Sequence, residues 1–289
     1  MTVAIVTDSS VSLPNELLAG LPVFVVPMEI HHNGAVYRDG LDLSPASFYS
    51  LQRSSGAMPT TSAPHPGGFL EAFNAASQRA DEIVCLTLSA ELSATYAAAD
   101  TARQMFRESN DKISIQVVDS RTAATAEGLM VLAAGRSARQ GTPASTIIAD
   151  IQRWRSSIAL YGYLDSLYYV WKGGRVPRVV MWMGKLLDFK PILQLTDGKI
   201  SMVERPRTER KAMDRIVALL RRGLGNAPVR VAVMHADAKS QAEVLADQLQ
   251  TALAPEEIFI TELTPVIGAH TGPGLVGCAI HRLEPTISA

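Results

Sequence analysis

Cysteine is nearly absent: Cys85 and Cys278 are the two in 289 residues, far apart and each inside an apolar run. With no CxxC pair, neither a thiolate zinc site nor a dithiol redox motif is indicated, and free buried thiols are the plain expectation. A surplus of either charge is missing too. The 27 Lys and Arg against 28 Asp and Glu leave a net charge of −1, whereas nucleic-acid binders carry a basic excess. Arginines do gather at 203–222, which leaves room for a local basic patch. No stretch approaches the roughly 18 uninterrupted apolar residues of a membrane span. The opening MTVAIVTDSS has no basic leader and no long apolar core, so it does not read as a signal peptide, and a cytoplasmic location is expected. A Walker A loop, a GxGxxG turn after a strand, a GxSxG elbow and an HExxH pair are all lacking. His31, His32 and His65 show no ligand spacing, so no metal site is expected.

What the chain does have is apolar material, 47% of its residues, enough to build cores for two modest domains. Short apolar runs at 3–7 (VAIVT), 83–88 (IVCLTL), 113–118 (ISIQVV), 229–234 (VRVAVM) and 258–263 (IFITEL) read as strands buried on both faces. Between them, Met213, Ile216, Val217 and Leu220 share one helical face, as do Ala242, Leu245, Ala246 and Leu249. A further helix is expected from Pro143 to about Ser157. Strands interleaved with helices predict α/β architecture. The texture changes near Leu160: LDFKPILQLTDGKISMVERPR reads as two strands around an Asp197-Gly198 turn, and CAIHRLE as another strand. The expected organisation is a mostly parallel first α/β domain over 1–158 and a second α/β domain over 159–289 with a mixed or antiparallel sheet.

Polar residues collect where the strands end. Asp8, Ser9 and Ser10 after the first strand, and Asp119-Ser120 after the third, suit helix caps or Asx turns. MPTTSAPHPGGF (58–69) reads as a loop carrying the hydroxyls of Thr60, Thr61 and Ser62, with Pro66 placed to open a helix. Ser93 stands before a strong helix former and suits an N-cap. Its hydroxyl there would lie beside unpaired backbone N–H groups, where an anion is favoured. It is equally a candidate nucleophile with His270 as base, although the usual elbow is missing. His270, in VIGAHTGPGLVG, reads as an imidazole fixed in a Gly/Pro-rich loop, structural or anion-binding. The Met- and Trp-rich stretch 179–189 fits a core or the wall of an acyl channel, since methionine adapts its shape.

Taken together, the stretches VAIVTDSS, PTTSAP, LSAELSATY, VVDSRTA, LDSLYYVWKGGRV, LLDFKPIL, RPRTERKA and IGAHTGPG, in this order from about residue 3 to 283, resemble the DegV family. That family comprises fatty-acid-binding subunits of bacterial fatty acid kinases. The resemblance implies two α/β domains with a long-chain fatty acid between them and its tail in the second domain. It places the carboxyl group on Thr61, Ser93 and His270, with Ser62 and Thr271 beside them. Arg175 of the GGR segment and Arg207 would serve the head group, the phosphorylated product or the kinase partner. Met181, Trp182 and Leu186 would line the acyl tunnel. No cofactor is implied for this chain; ATP and magnesium would belong to the separate kinase catalytic subunit. Two departures, Ala63 and Ala94 where the family often has Gln and Gly, bear on chain preference or head-group fit. The alternative reading is a serine hydrolase or acyl transferase using Ser93 and His270; a third is a regulatory interaction module.

Overall fold

The protein is seen in a computed structural model that describes residues 1–55, 57–110, 112–176, 189–225 and 227–283. The expected strands appear as β1 (Val3–Asp8), β6 (Glu82–Thr87), β7 (Ser114–Asp119), β11 (Val229–His235) and β12 (Glu257–Glu262). Together with β2 (Val23–Val26), the first three form an all-parallel sheet of order β2-β1-β6-β7. Their unbroken apolar runs follow from cover on both faces. Val3 and Ile5 pack into one core with Val84 and Leu86, while Ala4 and Val6 pack into another with Ile83 and Cys85. The second face is filled by α3 (Pro66–Ser77) and α4 (Thr95–Ser109), which bring Phe69, Phe73 and Phe106 together.

A second sheet has six strands in the order β10-β9-β8-β13-β11-β12. It uses β8 (Ile158–Tyr163), β9 (Ile192–Thr196), β10 (Lys199–Glu204) and β13 (Val276–Arg282), and only β11 and β12 run parallel. The expected hairpin is there: Asp197 (φ 49°) and Gly198 (φ 77°) both sit in the left-handed region that a tight I′ turn between twisted strands requires. One face of this sheet packs on α8 (Glu209–Leu224) and α9 (Lys239–Leu253) through Met213, Ile216, Leu220, Leu245 and Leu249. The other face turns toward the first sheet.

The two sheets are joined by α5 (Ala124–Arg139) and α6 (Ala144–Ser157). Every residue of α5 from Ala124 to Gly135 is buried, because the helix has neighbours all round. Ala126 and Leu129 face the core shared with the six-stranded sheet, and Met130, Val131 and Ala134 face the four-stranded one. Among the described residues, no helix is long and apolar enough to cross a membrane.

Two expectations need correcting. Residues 58–69 are not all loop, since Thr60–Ser62 form β5, which pairs with β3 (Glu29–His32) and, beyond it, β4 (Ala35–Arg38) in a small antiparallel sheet. The segment is short and polar, and the backbone ladder supplied by β3 decides its conformation. His270 does not lie in a loop either. Pro265–Thr271 form a short helix, α10, with Pro265 in its first turn, where a missing N–H costs nothing. The remaining helices are α1 (Asn15–Leu18), α2 (Pro45–Ser55) and α7 (Tyr168–Gly173).

Since α5 carries cores on two sides, Met130→Ala, at a fully buried site, is expected to cost about 2–5 kcal/mol. Chemical denaturation should show a lower midpoint with an unchanged slope.

Candidate functional site

An apolar cavity opens between the carboxyl ends of the parallel strands and the inner face of the six-stranded sheet. Its empty space is about 1040 Å3, open solvent at the mouth included. One wall comes from segments that leave the parallel sheet: Met28 after β2, Leu88, Leu92 and Ser93 after β6, and Ala123 and Ala124 after β7. Ligands in open α/β sheets bind beyond these strand ends because the connecting loops diverge there. Leu160 and Gly162 of β8, Leu193 and Leu195 of β9, Ile200 of β10 and Met234 of β11 form the facing wall.

A few polar groups interrupt this lining. The structure brings Thr61, Ser93, Arg175, His270 and Thr271 to the same cavity. Thr61 is delivered by β5 and His270 by α10, and their side chains meet, Thr61 Oγ1 to His270 Nε2, at 2.7 Å. The other ring nitrogen, Nδ1, is buried and has no hydrogen-bond partner among the described residues. It lies against Gly173, where a Cβ would stand 2.6 Å away. Burial, and then the positive charge of Arg175, push the His270 pKa down to about 4, so the imidazole is neutral near pH 7. Arg175 is itself exposed and donates from Nη1 to the carbonyl of Gly173 at 2.8 Å, which holds its guanidinium near the imidazole's backing.

Ser93 sits one residue earlier relative to its helix than expected. Ala94 holds the N-cap position, and Ser93 Oγ accepts from the Thr95 N–H at 3.3 Å and pairs with Thr95 Oγ1 at 2.8 Å. Its hydroxyl therefore still serves the open end of α4, from the rim of the cavity. Thr271 Oγ1 donates to the Ile267 carbonyl at 3.2 Å. Ser62 alternates to the other side of β5, donates to Glu29 Oε2 at 2.9 Å and lies 3.0 Å from His31 Nε2. Arg207 stands apart from the cavity, its guanidinium 5.5 Å from the centre of the Phe189 ring. Met181, Trp182 and Leu186 lie outside the described residues.

A polar scaffold supports the site from beneath, and of its members the motifs pointed only to Asp8, Ser9 and Ser10. Asp39, 2% exposed, accepts from Ser9 Oγ at 2.6 Å and from the Val266 N–H at 3.3 Å, in the first turn of α10. Ser9 Oγ in turn accepts from the Met28 N–H. Asp8 accepts from the Leu88 and Ser10 amides, and Glu127 from the Ser10 and Thr7 hydroxyls. Burial raises the pKa of all three acids, that of Asp39 to about 7. Glu127 could have been noticed as a lone acid in ATAEGLMVLAAG. Asp39, within RDGLD, reads only as a turn residue. Ala124, on the cavity wall, keeps φ at +53° without being glycine. Such a conformation costs about 1–2 kcal/mol and is here fixed by its buried surroundings.

Comparison with known proteins gives one consistent picture. The description "uncharacterised protein, DegV family" matches residues 2–282. A DegV domain-containing protein of Streptomyces coelicolor is 36% identical over 281 residues, covering 96% of this chain and 98% of its own. Among solved structures, a fatty-acid-binding DegV family protein from Thermus thermophilus superposes with a TM-score of 0.91 at 32% identity, over 98% of this chain and 100% of that one. DegV of Bacillus subtilis, described as a fatty acid binding protein, gives 0.89 at 28% identity with the same coverage.

Two outcomes are expected here. The depressed His270 pKa means that the unfolded chain takes up a proton below about 6.5 which the folded chain refuses until about pH 4. This contribution to stability is complete above pH 6.5 and declines as pH falls toward 4. In NMR titration of the ligand-free protein the His270 ring should stay neutral down to about pH 5, and a midpoint near 6.5 would contradict the burial argument. Gly173→Ala places a methyl against Nδ1 and should displace the imidazole, seen as a lost Thr61–His270 contact in a crystal structure of the variant.

Proposed function

The chain belongs to the DegV family, and on that premise we propose that it binds a long-chain fatty acid in the cavity and presents the carboxyl end to a separate kinase. The observation that carries this reading is the combination of an almost wholly apolar slot with a few hydroxyls, an imidazole and a guanidinium in its lining. It is supported by the fatty-acid-binding relatives from Thermus thermophilus and Bacillus subtilis.

The chemistry divides between head and tail. With the proton on Nε2, His270 donates to Thr61 Oγ1, and the Thr61 hydroxyl proton is free to point at a carboxylate oxygen. That tautomer leaves Nδ1 as a bare lone pair against Gly173, whereas the alternative would bury an unpaired N–H there. A neutral imidazole thus relays its donor through threonine. Ser93 adds a hydroxyl beside the open amides of α4, and Arg175 supplies the positive charge at the mouth. Burying about 15 methylenes at about 0.8 kcal/mol each sets a ceiling of ~12 kcal/mol, reduced by the costs of association and ordering. The tail carries the affinity, and the head group fixes which end faces out.

In the full proposal the exposed carboxyl end is phosphorylated by an ATP-dependent partner, and this chain retains the acyl phosphate. ATP and magnesium then belong to the partner, and Arg207, exposed beside α8, serves docking or the phosphate. A cytoplasmic location goes with this role. The hydrolase alternative is disfavoured by the geometry: Ser93 Oγ is hydrogen-bonded to Thr95, while His270 is hydrogen-bonded to Thr61 and, among the described residues, has no carboxylate on Nδ1.

Mass spectrometry of organic extracts from freshly purified protein should find a long-chain fatty acid. Absence of lipid, together with no uptake when one is offered, would sink the proposal. Thr61→Val should weaken fatty-acid binding about tenfold, by the loss of one hydrogen bond to a charged group. Wild type and Ser93→Ala should be equally inert toward an activated ester; turnover abolished in Ser93→Ala would favour the hydrolase.

A further inference from the structure

The wall that the six-stranded sheet gives the cavity has a bare strip. Gly162 of β8 and Gly277 of β13 are directly opposed in the antiparallel ladder, and Met234 of β11 is opposite Gly277 on its other side. Three neighbouring positions on one face thus carry two hydrogens and one long side chain. Met234 lies down across the strip: its Cε would be 3.7 Å from a Cβ at Gly162 and 2.9 Å from one at Gly277. Its sulfur is held from the opposite wall by the hydroxyl of Thr125, which donates to Sδ at 3.2 Å from the buried first turn of α5. Met234 and Gly162 both face the cavity.

Methionine has three side-chain torsions and fills irregular space readily. Left to itself over two glycines it would be a poor gauge of length. The Thr125 hydroxyl removes much of that freedom. We propose that Met234, pinned by Thr125 over the Gly162–Gly277 strip, is the residue that sets how long an acyl chain this protein accepts. The inference rests on the fatty-acid reading of the cavity and adds its determinant of specificity.

Gly162 allows a test in the opposite direction. A methyl there meets the Val276 carbonyl oxygen at 3.5 Å, the Gly277 Cα at 3.7 Å and Met234 Cε at 3.7 Å, all ordinary contacts, and no positive φ is required at this residue. Gly162→Ala therefore fits the fold while removing space from the cavity. Gly277 offers no such choice, because a Cβ there would collide with the backbone oxygen of Tyr161.

The experiment offers the full-length protein an equimolar mixture of straight-chain fatty acids, from dodecanoic to eicosanoic acid. Retained chains are quantified by mass spectrometry, with thermal melting as a control for folding. Met234→Ala, which deletes the atoms beyond Cβ, should move the most abundant bound chain about two to three carbons longer. Gly162→Ala should move it shorter, and Thr125→Val, which keeps the shape but drops the tether, should broaden the distribution around the wild-type length. A wild-type protein that retains no chain overturns the underlying fatty-acid reading. A wild type that retains chains, with folded Met234→Ala and Gly162→Ala proteins of unchanged profile, overturns the role given to Met234 alone.

Discussion

Asp39 accepts hydrogen bonds from two parts of the chain that are far apart in sequence. From one side comes the hydroxyl of Ser9, just past the end of β1, and from the other the amide of Val266 in the first turn of α10. That carboxyl group locks the orientation of the helix that carries His270 to the parallel sheet that supplies the opposite wall. A second link runs parallel to it, from the Thr264 amide to Ser12 Oγ. Both are buried or partly buried, where a hydrogen bond is costly to leave unmade. Without them, a seven-residue helix held only by apolar contacts would have little to fix its angle, and the 2.7 Å meeting of His270 with Thr61 depends on that angle.

The acids beneath the site and the imidazole above it respond to burial in complementary ways. Desolvation favours the neutral form of each, raising Asp8, Asp39 and Glu127 and lowering His270. Among the described residues that line the slot, Arg175 is the one permanently charged side chain. The exposed Arg175 places its guanidinium at the mouth, in contact with water. The proposed fatty acid would meet a matching gradient, with an apolar slot inside and a cationic rim outside.

Much of this was legible in the sequence, for identifiable reasons. The strands were readable because both faces are covered, so residues 3–6 (VAIV) run without a polar interruption and VRVAVM has one, Arg230. Asp197-Gly198 marked its hairpin because few other residue pairs tolerate two positive φ angles. The small sheet of β3, β4 and β5 was not readable: EIHH, AVYR and TTS show neither a continuous apolar run nor a clear alternation. In α10, the proline and glycines of PVIGAHTGPG obscured a helix whose angle is fixed from 227 residues away in sequence. Thr61, Ser93 and His270 could be named from motifs, but their separation from Ser62 needed the alternation of a strand that the sequence did not announce. Met234 was visible only as one more apolar residue of a strand; its meaning depends on which face it occupies and on two glycines in other strands.

The bare glycine strip also bears on how such a protein can change. On the proposed reading, the groups for the carboxyl end come from β5, α10, the segment before α4 and the segment after α7, whereas the gauge of chain length lies on β8 and β11. Substitutions at 162 or 234 alter available volume without touching the Asp39 linkage or the Thr61–His270 pair. Position 277 is held fixed by the main chain packed against it. On the proposed reading, recognition of the ligand's class and measurement of its size are therefore separable traits. A lineage of such proteins can drift in the second while selection holds the first.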